Sequence, residues 1–165
     1  MRSPVESAQG QTKYCFDTSA LIEAWRDRYP PDIFGNLWQS IDVMVNKEEI
    51  FAPYDVLVEL EIGGDELYRW ASERKDTMFP EIRESVQQRA KELLKQFPGL
   101  VDSKKTASDA DPIVIAMALD SGATVVTAEK LSTNRNKPKI PDVCQYYKVK
   151  CIGILEFIRE RGWTF

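Results

Sequence analysis

Histidine does not occur among the 165 residues of this chain. Its absence removes Ser–His and Cys–His nucleophilic pairs and imidazole-bound zinc sites. Glycine is scarce, at eight residues, and neither standard spacing of a phosphate-cradling glycine loop appears. A basic excess is lacking as well. Lys and Arg number 22 against 26 Asp and Glu, a net charge of -4, so no global positive field gathers nucleic acid, although a local basic strip stays open. No apolar run nears the about twenty residues needed to cross a bilayer, which predicts no membrane partner. The opening MRSPVESAQGQTK has no apolar centre, so residues 1–12 are expected to be a flexible lead-in and not a signal peptide. Cys15, Cys144 and Cys151 match no zinc spacing and read as reduced thiols of a cytoplasmic protein.

What remains is an ordinary balance of 43% apolar and 29% charged residues, enough over this length for one buried core. Residues 13–165 are therefore expected to form a single domain. Tyr14-Cys15-Phe16 favours a buried strand and ends in Asp17. Thr18 and Ser19 can then cap a helix whose apolar stripe is Leu21, Ile22 and Trp25. Asp17 would sit at the carboxyl end of a strand, where open α/β sheets place their ligands.

Further along, a turn at Pro30-Pro31 precedes a helix to about Asn46, with Ile33, Leu37, Ile41 and Val45 at four-residue spacing. A short strand over residues 49–53 leads into a helix from Tyr54 to Glu61, broken by Gly63-Gly64. A brief helix with Leu67, Trp70 and Ala71 comes next, then a long amphipathic one from Pro80 to Phe97 with a solvated polar face. Residues 104–109 read as a polar loop. Asp111 opens a helix by capping it ahead of Pro112, and Gly122 ends that helix. Ala123 to Thr127 is the clearest strand, running into Ala128-Glu129. Residues 130–139 form a loop with cations and no acid, residues 149–152 a last strand, and Ile154, Leu155 and Ile158 mark a final helix. Strands separated by helices predict an α/β chain: a mainly parallel central sheet covered on both faces.

Acids fall at several of these junctions. Asp17 and Glu129 follow strands, Glu59 lies in the helix after one, and Asp111 opens a helix. Each has a plain alternative, Asp17 and Asp111 as helix caps and Glu59 and Glu129 as solvated charges. Four carboxylates at one sheet edge would repel unless a cation neutralised them. Hard divalent ions choose such oxygens, lower the pKa of water and offset charge on a phosphodiester. That chemistry needs no histidine.

In this order and spacing, the chain resembles the PIN domain, a metal-dependent ribonuclease fold shared by toxins of type II toxin–antitoxin modules and by RNA-processing enzymes. Phe16-Asp17-Thr18-Ser19 looks like its first motif and Val56-Leu57-Val58-Glu59-Leu60 its second. The run from Asp111 to Ala118 is similar to the third, and Val125-Val126-Thr127-Ala128-Glu129 to the fourth, with Glu129 where the common pattern has Asp. The tail from Ile140 to Trp163 looks like an uncharacterised prokaryotic branch of PIN-like proteins.

The resemblance implies a three-layer α/β/α fold and an endoribonuclease. Asp17, Glu59 and Asp111 would hold one or two Mg²⁺ or Mn²⁺ ions, with Glu129 a fourth ligand. Thr18, Ser19 and Thr127 would steady the carboxylates, while Asp109 and Glu61 compete with Asp111 and Glu59 for their roles. Apart from the resemblance, the basic loop with Lys130, Arg135, Lys137 and Lys139 is a candidate for gripping phosphates, a merely solvated loop being the equal alternative. RNA is the implied substrate, and a small antitoxin and a homodimer are compatible assemblies. The alternative is a PIN-like module without activity that binds protein or RNA. An aspartyl-phosphate enzyme is disfavoured, because no second acid follows Asp17 by two residues.

Overall fold

The computed structural model describes residues 12–101 and 109–165; most of the expected lead-in, and residues 104–108 of the expected loop, lie outside these. Four short strands carry the fold: β1 (Tyr14–Phe16), β2 (Ile50–Phe51), β3 (Thr124–Val126) and β4 (Cys151–Ile152). They pair in the order β2-β1-β3-β4, every pair parallel. Cys15 lies level with Phe51 on one side and Val125 on the other. Parallel neighbours need crossover connections, and helices supply them.

The connections begin with α1 (Thr18–Ile22), which runs into a π-helical stretch over Glu23–Arg28. Its last bond, from Tyr29 N to Ala24 O, is 2.8 Å long. The helices α2 (Gly35–Asn46), α3 (Tyr54–Gly63), α4 (Glu66–Ser72) and α5 (Lys75–Met78) follow. Next come α6 (Glu84–Gln96), α7 (Asp111–Ser121), α8 (Ile140–Tyr147) and α9 (Ile154–Arg161). The result is a three-layer α/β/α arrangement, as the alternation of strand and helix patterns predicts. Among the described residues, no helix is long and apolar enough to cross a membrane.

Both faces of β1 are covered, because Tyr14, Cys15 and Phe16 are all buried although successive side chains point to opposite faces. On one face the Phe157 ring of α9 stands edge-on to Tyr14 and Phe16, with centroids 4.8 and 5.2 Å apart. α7 packs against β1 and β3 and carries α6 and α8 alongside it. Its Val114, Ile115 and Ala116 are fully enclosed, which explains why this helix is apolar all round. Away from the sheet, Trp25, Trp38 and Trp70 pack ring against ring and tie the π-helical stretch to α2 and α4.

Several boundaries differ from those expected. The second helix starts at Gly35, because the Pro30 carbonyl accepts from Ile33 N and Phe34 N and closes a turn. Ile33 is thereby left 72% exposed and not part of the buried stripe. The long helix begins at Glu84, not Pro80, since Arg83 is extended (φ -72°, ψ 157°). Asp111 is not a cap: it occupies the first helical position, Pro112 the second, and Ala110 is the residue before the helix. Leu155 faces outward, and the buried stripe of α9 is Ile154, Phe157 and Ile158. α8 has no counterpart among the expected elements.

Phe157 is the lever through which α9 holds β1. Phe157→Ala should destabilise the protein by about 3–5 kcal/mol, the usual range for emptying a buried aromatic site. Urea unfolding followed by tryptophan fluorescence measures this. A loss under about 1 kcal/mol would show that the ring is not part of the packing that fixes β1.

Candidate functional site

In the order β2-β1-β3-β4, the chain winds away from β1 in one direction and from β3 in the other. The switch point therefore lies between β1 and β3, and open parallel sheets have a crevice outside the carboxyl ends of such a pair. Asp17 is the residue after β1, and Thr127 the residue after β3.

Asp17 is 2% exposed and stays attached to the sheet, its N–H donating to Val126 O at 3.0 Å. Its side chain accepts from Ala20 N at 2.8 Å, which makes it the cap of α1. The Ser19 hydroxyl donates to both carboxylate oxygens, at 2.8 and 2.9 Å, and the Thr127 hydroxyl donates to Oδ2 at 2.6 Å. Burial pushes the Asp17 carboxyl up to about 7; the bonds from Thr127, Ala20 and Ser19 work against that rise, and the charge of Glu129 adds to it. Capping and site-building are thus one arrangement here. Ser19 Oγ also accepts from Ala128 N at 3.0 Å, and Thr127 Oγ1 from Glu129 N at 3.1 Å, so the same two hydroxyls shape the turn after β3.

Glu59 reaches this edge from α3. The Thr18 hydroxyl donates to its Oε2, and Ala110 N donates to its Oε1 at 3.2 Å. One side chain so bridges the start of α1 and the start of α7. Glu61, two residues on, is exposed, because that spacing turns it about 200° around the helix. It does not share the position of Glu59. Asp109 bends back so that its Oδ1 accepts from Asp111 N at 3.1 Å, a local turn bond just ahead of a helix that has no side-chain cap.

Asp111 itself is left among like charges. Its carboxyl is pushed up to about 8, first by burial and then by repulsion from Asp109, Glu129, Asp17 and Glu59. The five acids therefore share one locality. None of them joins a salt bridge with a basic side chain among the described residues.

Glu129 is placed otherwise than as a free fourth carboxylate. Its Oε2 accepts from Ile140 N at 2.9 Å, anchoring the start of α8. No feature of the sequence marked that bond, since the pairing spans the whole basic loop. Lys130, Arg135, Lys137 and Lys139 are all exposed on this loop.

The donor set suits a hard divalent ion: carboxylate oxygens, hydroxyls nearby, and negative charge without a basic partner. The side-chain positions do not form a finished cage. Among the described residues, no three acidic or sulfur side chains converge as a group that could hold an ion. The reason is visible in the bonds: Glu59 is held by Thr18 and Ala110, Glu129 by Ile140, and Asp17 by three donors. An ion would have to draw Glu59 or Glu129 away from these partners.

Fold and site together define an α/β protein with a partly buried cluster of acids at its topological switch point. The chain belongs to the DUF4411 family, a domain of unknown function, whose family model matches residues 14–165. No curated protein matches it.

The raised carboxyls have a consequence for stability. Asp17 and Asp111 keep their protons to a higher pH folded than unfolded, where both would titrate near 3.8. The folded state therefore binds more protons between about 4 and 8, and stability falls as pH rises through that window. In chelator, the melting temperature should drop from pH 5 to pH 8.5. Asp111→Asn removes one charge at nearly constant shape, so it should flatten that drop and raise the melting temperature at pH 8.5 by about 2–4 °C, the equivalent of about 1 kcal/mol. A melting temperature that rises across the window would contradict the crowding of these acids.

Proposed function

We propose that the protein is a metal-dependent endoribonuclease of PIN-like fold. Mg²⁺ or Mn²⁺ would be held by Asp17, Glu59 and Asp111, and by Glu129 once released from Ile140. The observation that carries this reading is Asp111, partly buried beside four other acids with no salt-bridged cation among the described residues. A bound divalent ion would supply the missing positive charge, make water a better nucleophile and offset charge on a phosphodiester.

The chain's own groups have separate tasks in this scheme. Ser19 and Thr127 hold the Asp17 carboxylate in one orientation, whereas Glu59 or Glu129 would have to leave its present partners to meet an ion. Burial at the sheet edge keeps bulk water from screening the charges. Without histidine the chain lacks the usual imidazole acid–base route to RNA cleavage. In this scheme water would add to phosphorus in line as the P–O3′ bond breaks, the water giving up one proton to solvent and the leaving O3′ taking one from it, which leaves 3′-hydroxyl and 5′-phosphate ends. In this reading the protein is cytoplasmic, and a small antitoxin is a compatible partner.

A second reading is favoured by one observation: the Glu129 carboxylate is already committed to Ile140 N. A site unable to release it would leave a PIN-like module that binds RNA or protein without cutting.

Two measurements separate these readings. Millimolar Mn²⁺ should raise the melting temperature of the wild-type protein by several degrees through binding the folded state only, and should leave Asp111→Asn unmoved. Single-stranded RNA should be cut in Mg²⁺ or Mn²⁺ and not in chelator. Asp17→Asn and Asp111→Asn should each lower the rate at least about 100-fold, the upper end of what losing even an outer partner costs a metal site. Cyclic-phosphate ends, or cleavage that persists in chelator, would overturn the mechanism. A melting shift without cleavage of any RNA would favour the binding module.

A further inference from the structure

We propose that Phe97, Tyr146 and Tyr147, with the cations of residues 130–139, form a stacking platform for single-stranded RNA that leads into the acidic crevice. The proposal rests on the ribonuclease reading for the identity of its ligand, and on a different part of the surface for its evidence.

The three rings form one cluster, with centroids 5.1 Å apart for Phe97 and Tyr146, 6.1 Å for Phe97 and Tyr147, and 4.9 Å for the two tyrosines. Phe97 and Tyr147 lean on the core, whereas Tyr146 is 58% exposed. Its ring stands at 79° and 82° to its neighbours, so neither of them stacks on its face. A large exposed ring supported edge-on by two others is what a nucleobase needs for stacking, and every base has such a face.

The backbone brings the basic loop to this cluster. Gly99, two residues beyond Phe97, lies so close to the loop that a side-chain carbon there would collide with the Asn136 carbonyl. The loop is held in shape from within: Asp142 Oδ2 accepts from Ser132 N at 2.9 Å and from Lys139 N at 2.8 Å. Lys130, Arg135, Lys137 and Lys139 form no salt bridge among the described residues. Glu92 of α6 also lies near Tyr147, and Gln88 holds its carboxylate at 3.5 Å. Cations without a salt bridge among the described residues, on a loop close to an exposed ring, favour a phosphate-bearing strand over an apolar partner segment.

The geometry also gives a direction. α8 starts where Ile140 N meets the Glu129 carboxylate and ends at the two tyrosines. Tyr146 is six residues past Ile140, about 9 Å along the axis, or roughly three nucleotides of stacked strand. A base on Tyr146 would place a phosphate a few nucleotides away at the crevice. Duplex RNA cannot use the platform, because its bases are already stacked.

Binding of a fluorescein-labelled oligouridylate of about twelve nucleotides, measured in chelator so that nothing is cut, tests this directly. Tyr146→Ala should weaken it by about 5- to 100-fold, and Tyr146→Phe should leave it within about twofold of wild type. Arg135→Ala with Lys137→Ala should flatten the dependence of log affinity on log salt by about 0.7 for each phosphate that is no longer neutralised. Affinity for a duplex of the same length should not respond to Tyr146→Ala. Tyr146 is exposed, so an unchanged melting temperature is expected and checks the fold. Oligouridylate binding that Tyr146→Ala leaves intact would overturn the platform, whatever the crevice does with metal. Wild-type protein that binds no single strand would overturn it too, and would leave the face to a protein partner. Tyr146-dependent binding without any response to Mn²⁺ would support the platform while counting against the metal reading.

Discussion

Everything at the carboxyl edge of this sheet depends on keeping one carboxylate, that of Asp17, out of water. Burying an ionised group without partners is prohibitive, and the fold answers with donors from two directions. Ala20 N and Ser19 come from the helix that follows β1, and Thr127 comes from the end of β3. For those donors to converge, β1 and β3 must lie in the register that sets Phe16 level with Val126. A slip of one residue would carry Thr127 to the other face and strand the charge. The carboxylate is therefore a condition on the sheet as much as a product of it.

The arrangement extends outward by shared atoms. Ser19 Oγ and Thr127 Oγ1 serve Asp17 and also hold Ala128 N and Glu129 N, so the turn after β3 is fixed by the same hydroxyls. That turn aims Glu129 at Ile140 N, and this bond in turn sets where α8 begins. Asp17, Glu129, the basic loop and Tyr146 are thereby connected through a few short links. Such a chain explains how a protein with a net charge of -4 can keep a cluster of acids at one point and exposed cations on an adjoining loop.

Much of this was legible in the sequence where a local pattern carried the information. Tyr14-Cys15-Phe16 and Thr124-Val125-Val126 read as buried strands because bulky and β-branched runs have few other uses, and the placement of Asp17 followed. The helix carrying Glu59 was legible from Val56, Leu57 and Leu60, which fall on one helical face, while the choice between Glu59 and Glu61 needed the structure. Other features depended on partners far along the chain. Ile33 fits the stripe of α2 by period, but a turn closed on the Pro30 carbonyl removes it. Asp111 has the sequence of a cap, yet the Ala110 carbonyl receives Ile113 N and Val114 N, Asp109 takes the N–H of Asp111, and the Asp111 carboxyl is left near other acids. α8 went unseen because Pro141 and Asp142 follow a long polar loop, and its start is secured by Glu129 from eleven residues away. Spacing along a chain does not reveal such a bond.

The electrostatics also constrain how any phosphate-bearing ligand could approach. A phosphodiester brought to Asp17, Glu59 and Asp111 would be repelled once their carboxyls ionise, Asp17 and Asp111 doing so only towards pH 7 to 8. Two things can reverse that sign: an ion within the crevice, and cations outside it. The ion acts over a few ångströms, so it governs what happens at the phosphorus and does nothing to collect the strand. The loop cations act over a Debye length of about 8–10 Å, so they can collect the strand and do nothing for the chemistry. Since Glu129 is bonded to the first residue of α8, and Lys139 is the residue before it, the two effects meet at one helix end. A ligand held there feels attraction from the loop and repulsion from the crevice across a single turn of helix. On the proposed ribonuclease reading, a strand would be retained beside the acids, and positive charge inside the site would let a phosphate approach them.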